Sequence, residues 1–75
     1  MKEVEKRLEA ACRYAGAFWD GEDGRYFLWK GEKMAELWVE QDDDGYPYDL
    51  LGVDTEVITS RNWRKIRKRI IEFFL

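Results

Sequence analysis

The chain has 75 residues, of which 39% are charged and 45% are hydrophobic, and its formal net charge at pH 7 is −3. This mixture is too apolar for a disordered tail and too charged for a membrane protein, and the length allows one small domain at most. Histidine is absent and cysteine occurs once, which excludes a disulfide framework, a Cys/His zinc site and a histidine-based catalytic triad. The lone Cys12 fits a reducing compartment, so we expect a cytoplasmic protein.

Charge is distributed unevenly along the sequence. Residues 1–60 contain 7 Lys or Arg and 15 Asp or Glu, whereas residues 61–75 contain 6 Lys or Arg and a single acid. The sequence therefore combines an acidic body with a basic C-terminal segment. An acidic body disfavours general affinity for nucleic acid or anionic membranes, although the basic segment could still act locally.

Residues 2–15 have the pattern of an amphipathic helix. Apolar side chains recur at helical spacing, and they are Val4, Leu8, Ala11, Cys12 and Ala15. Glu3 and Arg7 form a favourable i,i+4 pair, and Gly16 is placed to end the helix. Because Cys12 falls on the apolar face, we expect a buried structural thiol rather than a nucleophile.

Residues 17–40 predict two or three strands. The short apolar run 17–19 and the aromatic run 25–29 are separated by turn-forming residues at 20–24. Alternation then places Ala35, Leu37 and Val39 on one side of a strand, and Met34, Glu36, Trp38 and Glu40 on the other. A helix over 32–41 is the alternative, because its residues also favour helices.

The C-terminal half is less regular until its last segment. Residues 41–49 predict a loop, and residues 50–58 fit either a further strand or a short helical turn. Residues 61–75 predict a helix capped by Thr59 or Ser60. Its apolar stripe is formed by Trp63, Ile66, Ile70, Phe73 and Phe74, with Ile71 at the edge. Its cations are expected on the opposite face.

We therefore expect a single α+β domain over residues 1–75. It has an N-terminal helix, a two- or three-stranded antiparallel sheet and a C-terminal helix, because two helices covering a sheet bury all the apolar faces economically. The apolar end, residues 73–75, either completes the monomer core or packs across a twofold axis in a homodimer.

Acidic and aromatic side chains between residues 36 and 49 are the first candidate site. They are Glu36, Trp38, Glu40, Asp42, Asp43, Asp44, Tyr48 and Asp49. Such a negative surface can imitate a phosphate backbone and occupy a basic groove on a larger nucleic-acid-handling protein, with exposed Trp38 and Tyr48 as anchors. This interpretation predicts a non-enzymatic protein-binding module. Its sharpest form is an inhibitor or anti-defence protein of phage or mobile-element origin, and ordinary solubilising charge is the alternative.

The basic C-terminal helix is the second candidate site. Arg61, Arg64, Lys65 and Lys68 could contact the phosphates of nucleic acid. Like charges four residues apart and cations near a helix N-terminus are both unfavourable, and a local rule broken without evident gain suggests a function. The alternative is that the acidic body neutralises these cations within the molecule.

Other chemistry has little support in the sequence. Consecutive Asp42–Asp44 do not match the alternating ligands of a calcium loop, so we expect no metal and no cofactor. Without histidine, a general base would have to be a perturbed carboxylate or lysine. Tyr26, Trp29 and Trp38 are expected to share one face of the sheet, where they either stack on a ligand or are covered by the helices.

Overall fold

The chain folds as one layer of strands and one layer of helices, and the computed structural model describes residues 1–75. In chain order the elements are α1 (Lys2–Ala15), β1 (Phe18–Glu22), β2 (Arg25–Lys30), β3 (Lys33–Val39), β4 (Tyr48–Val53), β5 (Glu56–Ser60) and α2 (Trp63–Phe74). The strands form one antiparallel sheet in the order β1-β2-β3-β4-β5. The α+β class and both helices are confirmed, but the sheet has five strands where the sequence predicted two or three. Neither helix is long and apolar enough to cross a membrane.

The additional strands come from residues 48–60. β4 begins at Tyr48, inside the segment predicted as a loop, and β5 follows across a turn at Asp54 and Thr55. Both turn residues have positive φ, 51° and 63°, which is the backbone geometry of a tight two-residue hairpin. Gly52 has φ 85° at an irregularity in the register of β4. The glycine that interrupts the apolar pattern therefore marks a β-bulge and does not end the strand.

The N-terminus of α2 differs from the prediction. Asn62 caps the helix, because its side-chain oxygen accepts a hydrogen bond from the backbone N–H of Arg64 at 3.0 Å. Thr59 and Ser60 belong to β5, so the expectation that either of them caps the helix is wrong. The Ser60 hydroxyl instead accepts from the backbone N–H of Asn62 at 2.9 Å and fixes the connection into the cap.

The hydrophobic core lies between one face of the sheet and both helices. Its members are Val4, Leu8, Ala11, Cys12 and Ala15 from α1; Tyr26, Leu28, Ala35, Leu37, Val39, Tyr48, Leu50 and Val53 from the strands; and Ile66, Ile70 and Phe74 from α2. In β3 buried Ala35, Leu37 and Val39 alternate with more exposed residues, so the strand is confirmed and the alternative helix over 32–41 is excluded. Phe74 is buried, so the apolar C-terminal end contributes to the core of the monomer.

Cys12 lies inside this core, as its position on the apolar face of α1 predicted. Burial, with a smaller contribution from the charge of Glu9, raises the pKa of the thiol to about 12. The thiol is therefore protonated at neutral pH.

Lys30, the last residue of β2, binds the C-terminal ends of both helices. Its ammonium group donates to the carbonyl oxygen of Ala15 at 2.9 Å and to that of Phe74 at 3.0 Å. Nearby, the Lys33 ammonium donates to the carbonyl of Phe73 at 2.9 Å. α2 has no basic residue in its own last turn, so the sheet supplies the cations that its dipole requires there.

We expect Lys30→Met to lower the free energy of unfolding by about 1–3 kcal/mol, because two helix-terminal carbonyls lose a charged donor. Lys33→Met is the matched control, since Lys33 is exposed and bonds one carbonyl, and it should cost less than about 1 kcal/mol. Urea denaturation monitored by tryptophan fluorescence measures both. Equal losses in the two variants would contradict the role given to Lys30.

Candidate functional site

Both helices pack on one face of the sheet, and no element covers the other. We call this uncovered surface the open face. It is formed by Phe18, Asp20, Glu22, Arg25, Phe27, Trp29, Met34, Glu36, Trp38, Asp49, Leu51, Val57 and Thr59. An antiparallel sheet with one covered face normally directs polar residues to solvent, yet seven of these thirteen side chains are apolar or aromatic.

The open face has an apolar end. Phe18 pairs across the strands with Trp29, and Trp29 pairs with Met34. The rings of Phe18 and Trp29 stack with centroids 5.9 Å apart, and Phe18 and Met34 are each 63% exposed. Beside them, Phe27, Met34 and Leu51 line a shallow cavity of about 260 Å³. Exposed aromatic and aliphatic side chains grouped in this way are typical of a contact surface.

The other end of the open face is polar around one tryptophan. The guanidinium carbon of Arg25 lies 4.5 Å from the centroid of the Trp38 ring, which is a cation–π contact. Asp49 pairs with Trp38 across the strands and accepts a hydrogen bond from the Thr59 hydroxyl at 2.8 Å. These residues line a cavity of about 430 Å³, together with Asp23, Gly24, Val39, Glu40 and Pro47.

Acidic residues dominate the charge of the open face. Four carboxylates, those of Asp20, Glu22, Glu36 and Asp49, lie on it, and Arg25 is its only cation. The face therefore combines apolar contact area with negative charge, which suits a surface that is both basic and apolar.

The structure brings only part of the predicted acidic site together. Glu36, Trp38 and Asp49 share the open face, and Glu40 lies at its polar end. Tyr48 is only 1% exposed and packs among the core residues, so its proposed role as an exposed anchor is wrong. The reason is register: Tyr48 pairs with Val39, whose side chain also points into the core.

The acidic loop 41–47 is attached to the rest of the molecule by one ion pair and by the packing of Tyr46 against the core. The two terminal guanidinium nitrogens of Arg61, Nη1 and Nη2, donate to the two carboxylate oxygens of Asp42. This hydrogen bonding from Arg61 lowers the pKa of Asp42 to about 2. Asp43 and Asp44 are exposed and form no ion pair. The predicted acidic surface is therefore divided between the open face and this loop.

The basic residues of the C-terminal segment are also divided. Arg61 lies before α2 and pairs with Asp42, and Arg69 pairs with Asp54 at 3.1 Å. These two cations are neutralised within the molecule. Arg64, Lys65 and Lys68 are exposed on α2 and have no ion-pair partner.

Tyr26 does not share a face with Trp29 and Trp38, so this expectation is wrong. Residues three apart in a strand point to opposite faces, and Tyr26 is buried while Trp29 lies on the open face. The phenol of Tyr26 donates to Glu5 of α1 at 2.9 Å. Phe18 and Phe27 are open-face residues that sequence reasoning missed, although alternation within 25–29 places Phe27 with Trp29.

No protein-family model matches the chain, and neither a curated protein nor a solved structure shows significant similarity to it. The geometry of the open face and of α2 is therefore the basis for assigning a function.

The Asp42–Arg61 pair predicts a specific pH dependence. Since the pKa of Asp42 in the folded chain, about 2, is below its ordinary value of 3.8, the pair stabilises the fold above about pH 4 and loses this effect as the pH falls towards 2. The difference in unfolding free energy between the wild type and Asp42→Asn should thus shrink between pH 5 and pH 2, as measured by urea denaturation. In Arg61→Gln, the NMR titration midpoint of the Asp42 carboxyl carbon should return to its ordinary range. A midpoint that stays low without Arg61 would show that the loop, and not the ion pair, sets this pKa.

Proposed function

We propose that the chain is a small non-enzymatic protein-binding module that docks through its open face on a basic surface of a larger protein. The observation that carries this proposal is the uncovered sheet face, on which Phe18, Phe27, Trp29 and Met34 are exposed among four carboxylates. The apolar side chains supply contact area, and Trp and Phe are efficient anchors because they bury much surface at little entropic cost.

Charge complementarity favours a basic partner over a second copy of the chain. Two open faces placed against each other would oppose four carboxylates to four carboxylates, with a single Arg25 on each side. The same charge disfavours nucleic acid on this face, although the aromatic rings could stack on bases. A protein with Arg or Lys around an apolar patch complements both the apolar contact area and the negative charge of the open face.

The size of the open face indicates which other residues take part. Five strands about 4.8 Å apart and about 20 Å long present roughly 400–500 Å² in projection, and a stable interface buries about 800 Å² on each partner. Contact with the adjacent loop 41–47 would extend the interface, since Glu40 borders this loop and Asp43 and Asp44 are exposed within it. These rim charges would mainly accelerate association, while the aromatic residues would slow dissociation.

An inhibitor of a nucleic-acid-handling protein is the narrowest form of the proposal. It is supported by the acidic face alone, because a surface of carboxylates can occupy a groove that otherwise binds phosphates. A phage or mobile-element origin remains a prediction from the sequence.

Affinity capture with matched variants tests the proposal. The baits are the wild type, an open-face variant with Phe27→Ser and Glu36→Lys, and a control with comparable changes elsewhere, Tyr14→Ser and Glu32→Lys. Tyr14 and Glu32 are both exposed and lie outside the open face. We expect the wild type and the control to retain one basic protein stoichiometrically from a lysate of the natural host. The open-face variant should retain at least about tenfold less, because it loses an aromatic anchor and reverses a charge.

Equal retention on the three baits, or no stoichiometric partner on any of them, would contradict the proposal. Each bait must first show the thermal unfolding transition of the wild type, so that a lost partner reports on the surface and not on the fold.

Nucleic-acid binding through α2 is the second candidate function. The observation that favours it is the group of exposed α2 cations without ion-pair partners, which comprises the predicted Arg64, Lys65 and Lys68 and also Arg67. The pairing of Arg61 with Asp42 removes one of the four residues predicted for this site.

Titration with short duplex and single-stranded DNA and RNA, at low and moderate salt, measures this second function. Three phosphate contacts predict a slope of roughly −2 to −3 in a plot of log affinity against log salt for duplex DNA. Changing Arg64, Lys65 and Lys68 to Gln should abolish that binding, whereas changing Lys2, Lys6 and Arg13 of α1 to Gln should leave it intact. Absence of binding at low salt, or equal effects of the two triple variants, would leave α2 without this role.

A further inference from the structure

The cavity at the polar end of the open face has an aromatic wall and an acidic rim. Trp38 forms the wall and is 37% exposed, and Asp23, Glu40 and Asp49 contribute carboxylates. Its volume of about 430 Å³ is within the range of sites that hold small ligands or single side chains. It lies where the β1–β2 turn, the end of β3 and the start of β4 meet.

A guanidinium group already lies against this wall in the free chain. The Arg25 side chain stacks on Trp38 with its guanidinium carbon 4.5 Å from the ring centroid, yet it forms no ion pair with a carboxylate. Arg25 is exposed, so this contact is weak and easily exchanged. The ring is thus shown to accept a planar cation, while the strong charge-assisted bonds to the rim remain unmade.

The rim carboxylates are free to make those bonds. Asp23 and Glu40 have no cation within ion-pair distance and no side-chain hydrogen bond, and Asp49 is bonded only by the Thr59 hydroxyl. A stacking ring beside carboxylate acceptors matches the requirements of a guanidinium, which stacks through its plane and donates in a fork from its edge. A lysine ammonium uses only part of this arrangement.

We propose that this cavity recognises an arginine side chain of the partner protein. The incoming guanidinium stacks on Trp38 and donates to the rim carboxylates, and Arg25 moves aside into solvent. This inference rests on the proposed function and adds the residue type that the partner presents. Arg25 then acts as an internal competitor, because it covers the ring and repels a second cation.

The competitor role of Arg25 can be tested, because it predicts that removing this cation strengthens the binding of an arginine peptide. The probe is the peptide acetyl-Gly-Arg-Gly-amide, titrated into the full chain while the Trp38 indole N–H signal is followed by NMR. The citrulline peptide is the uncharged control, and the lysine peptide tests the preference for a planar cation. We expect saturable shifts with the arginine peptide, weaker binding of the lysine peptide and no saturable shift with citrulline.

Variants then locate the site. Arg25→Gln should bind the arginine peptide at least about threefold more tightly, whereas a site for anions would weaken when it lost this cation. Glu40→Gln and Trp38→Leu should each weaken binding at least about fivefold, because one loses a carboxylate acceptor and the other the stacking ring. For Trp38→Leu, the shifts of the other open-face signals report binding. The matched controls Glu32→Gln and Tyr14→Leu change exposed residues outside the open face and should bind as the wild type does. Arg25→Gln and Glu40→Gln change exposed residues, so the test stands even if Trp38→Leu fails to fold.

Three results would overturn the inference: no saturable shift with the arginine peptide, equal affinity for the citrulline peptide, or weaker binding by Arg25→Gln. These failures are separable from failure of the proposed function. Loss of a captured partner from the Phe27→Ser and Glu36→Lys bait, without arginine binding, would retain the open face as the interface and reject the arginine site. Arginine binding without any captured partner would retain the arginine site and reject the open face as the interface with a larger protein.

Discussion

The meeting of two helix C-termini at Lys30 is the interaction on which the architecture depends. Each helix end carries roughly half a negative charge, so bringing two such ends together is unfavourable unless a cation lies between them. Lys30 provides that cation from the end of β2, and its ammonium contacts both Ala15 and Phe74. Because β2 lies within the sheet, this contact fixes both helices relative to the strands. Both helices bury their apolar faces against the same side of the sheet, which leaves the open face without cover.

The open face follows from the two-residue period of the strands. Each strand that gives a core residue also gives a residue to the opposite surface, as β2 does with Leu28 and Phe27. The fold requires apolar side chains only on the core face, so Phe27, Trp29 and Met34 are not explained by folding. Exposed apolar side chains add a risk of aggregation, and the surrounding carboxylates counter it by keeping copies of the chain apart. The same carboxylates give the surface its preference for a basic partner.

Local periodicity predicted the helices, β2 and β3, and it failed where a turn has no glycine or where the placement of a residue depends on strand register. The turn at Asp54 and Thr55 has positive φ without a glycine, so no turn signal marked the β4–β5 hairpin. Because the hairpin was not predicted, the start of β4 at Tyr48 was not predicted either, and neither was the burial of Tyr48. Glu36 and Trp38 were identified because they alternate within one strand. The grouping of Phe18 with Trp29 was not, since it depends on how β1 pairs with β2.

The linear strand order has a consequence for how the chain folds as it is synthesised. Each hairpin joins neighbouring segments, so the sheet can assemble from short-range contacts as the strands appear. The helix layer cannot be completed in the same way, because α2 follows every strand in sequence. α2 supplies three core residues, including Phe74 at its last position. A nascent chain without α2 exposes apolar surface on both faces of the sheet. That interval, before the last helix leaves the ribosome, is when the chain is most exposed to aggregation and to chaperones.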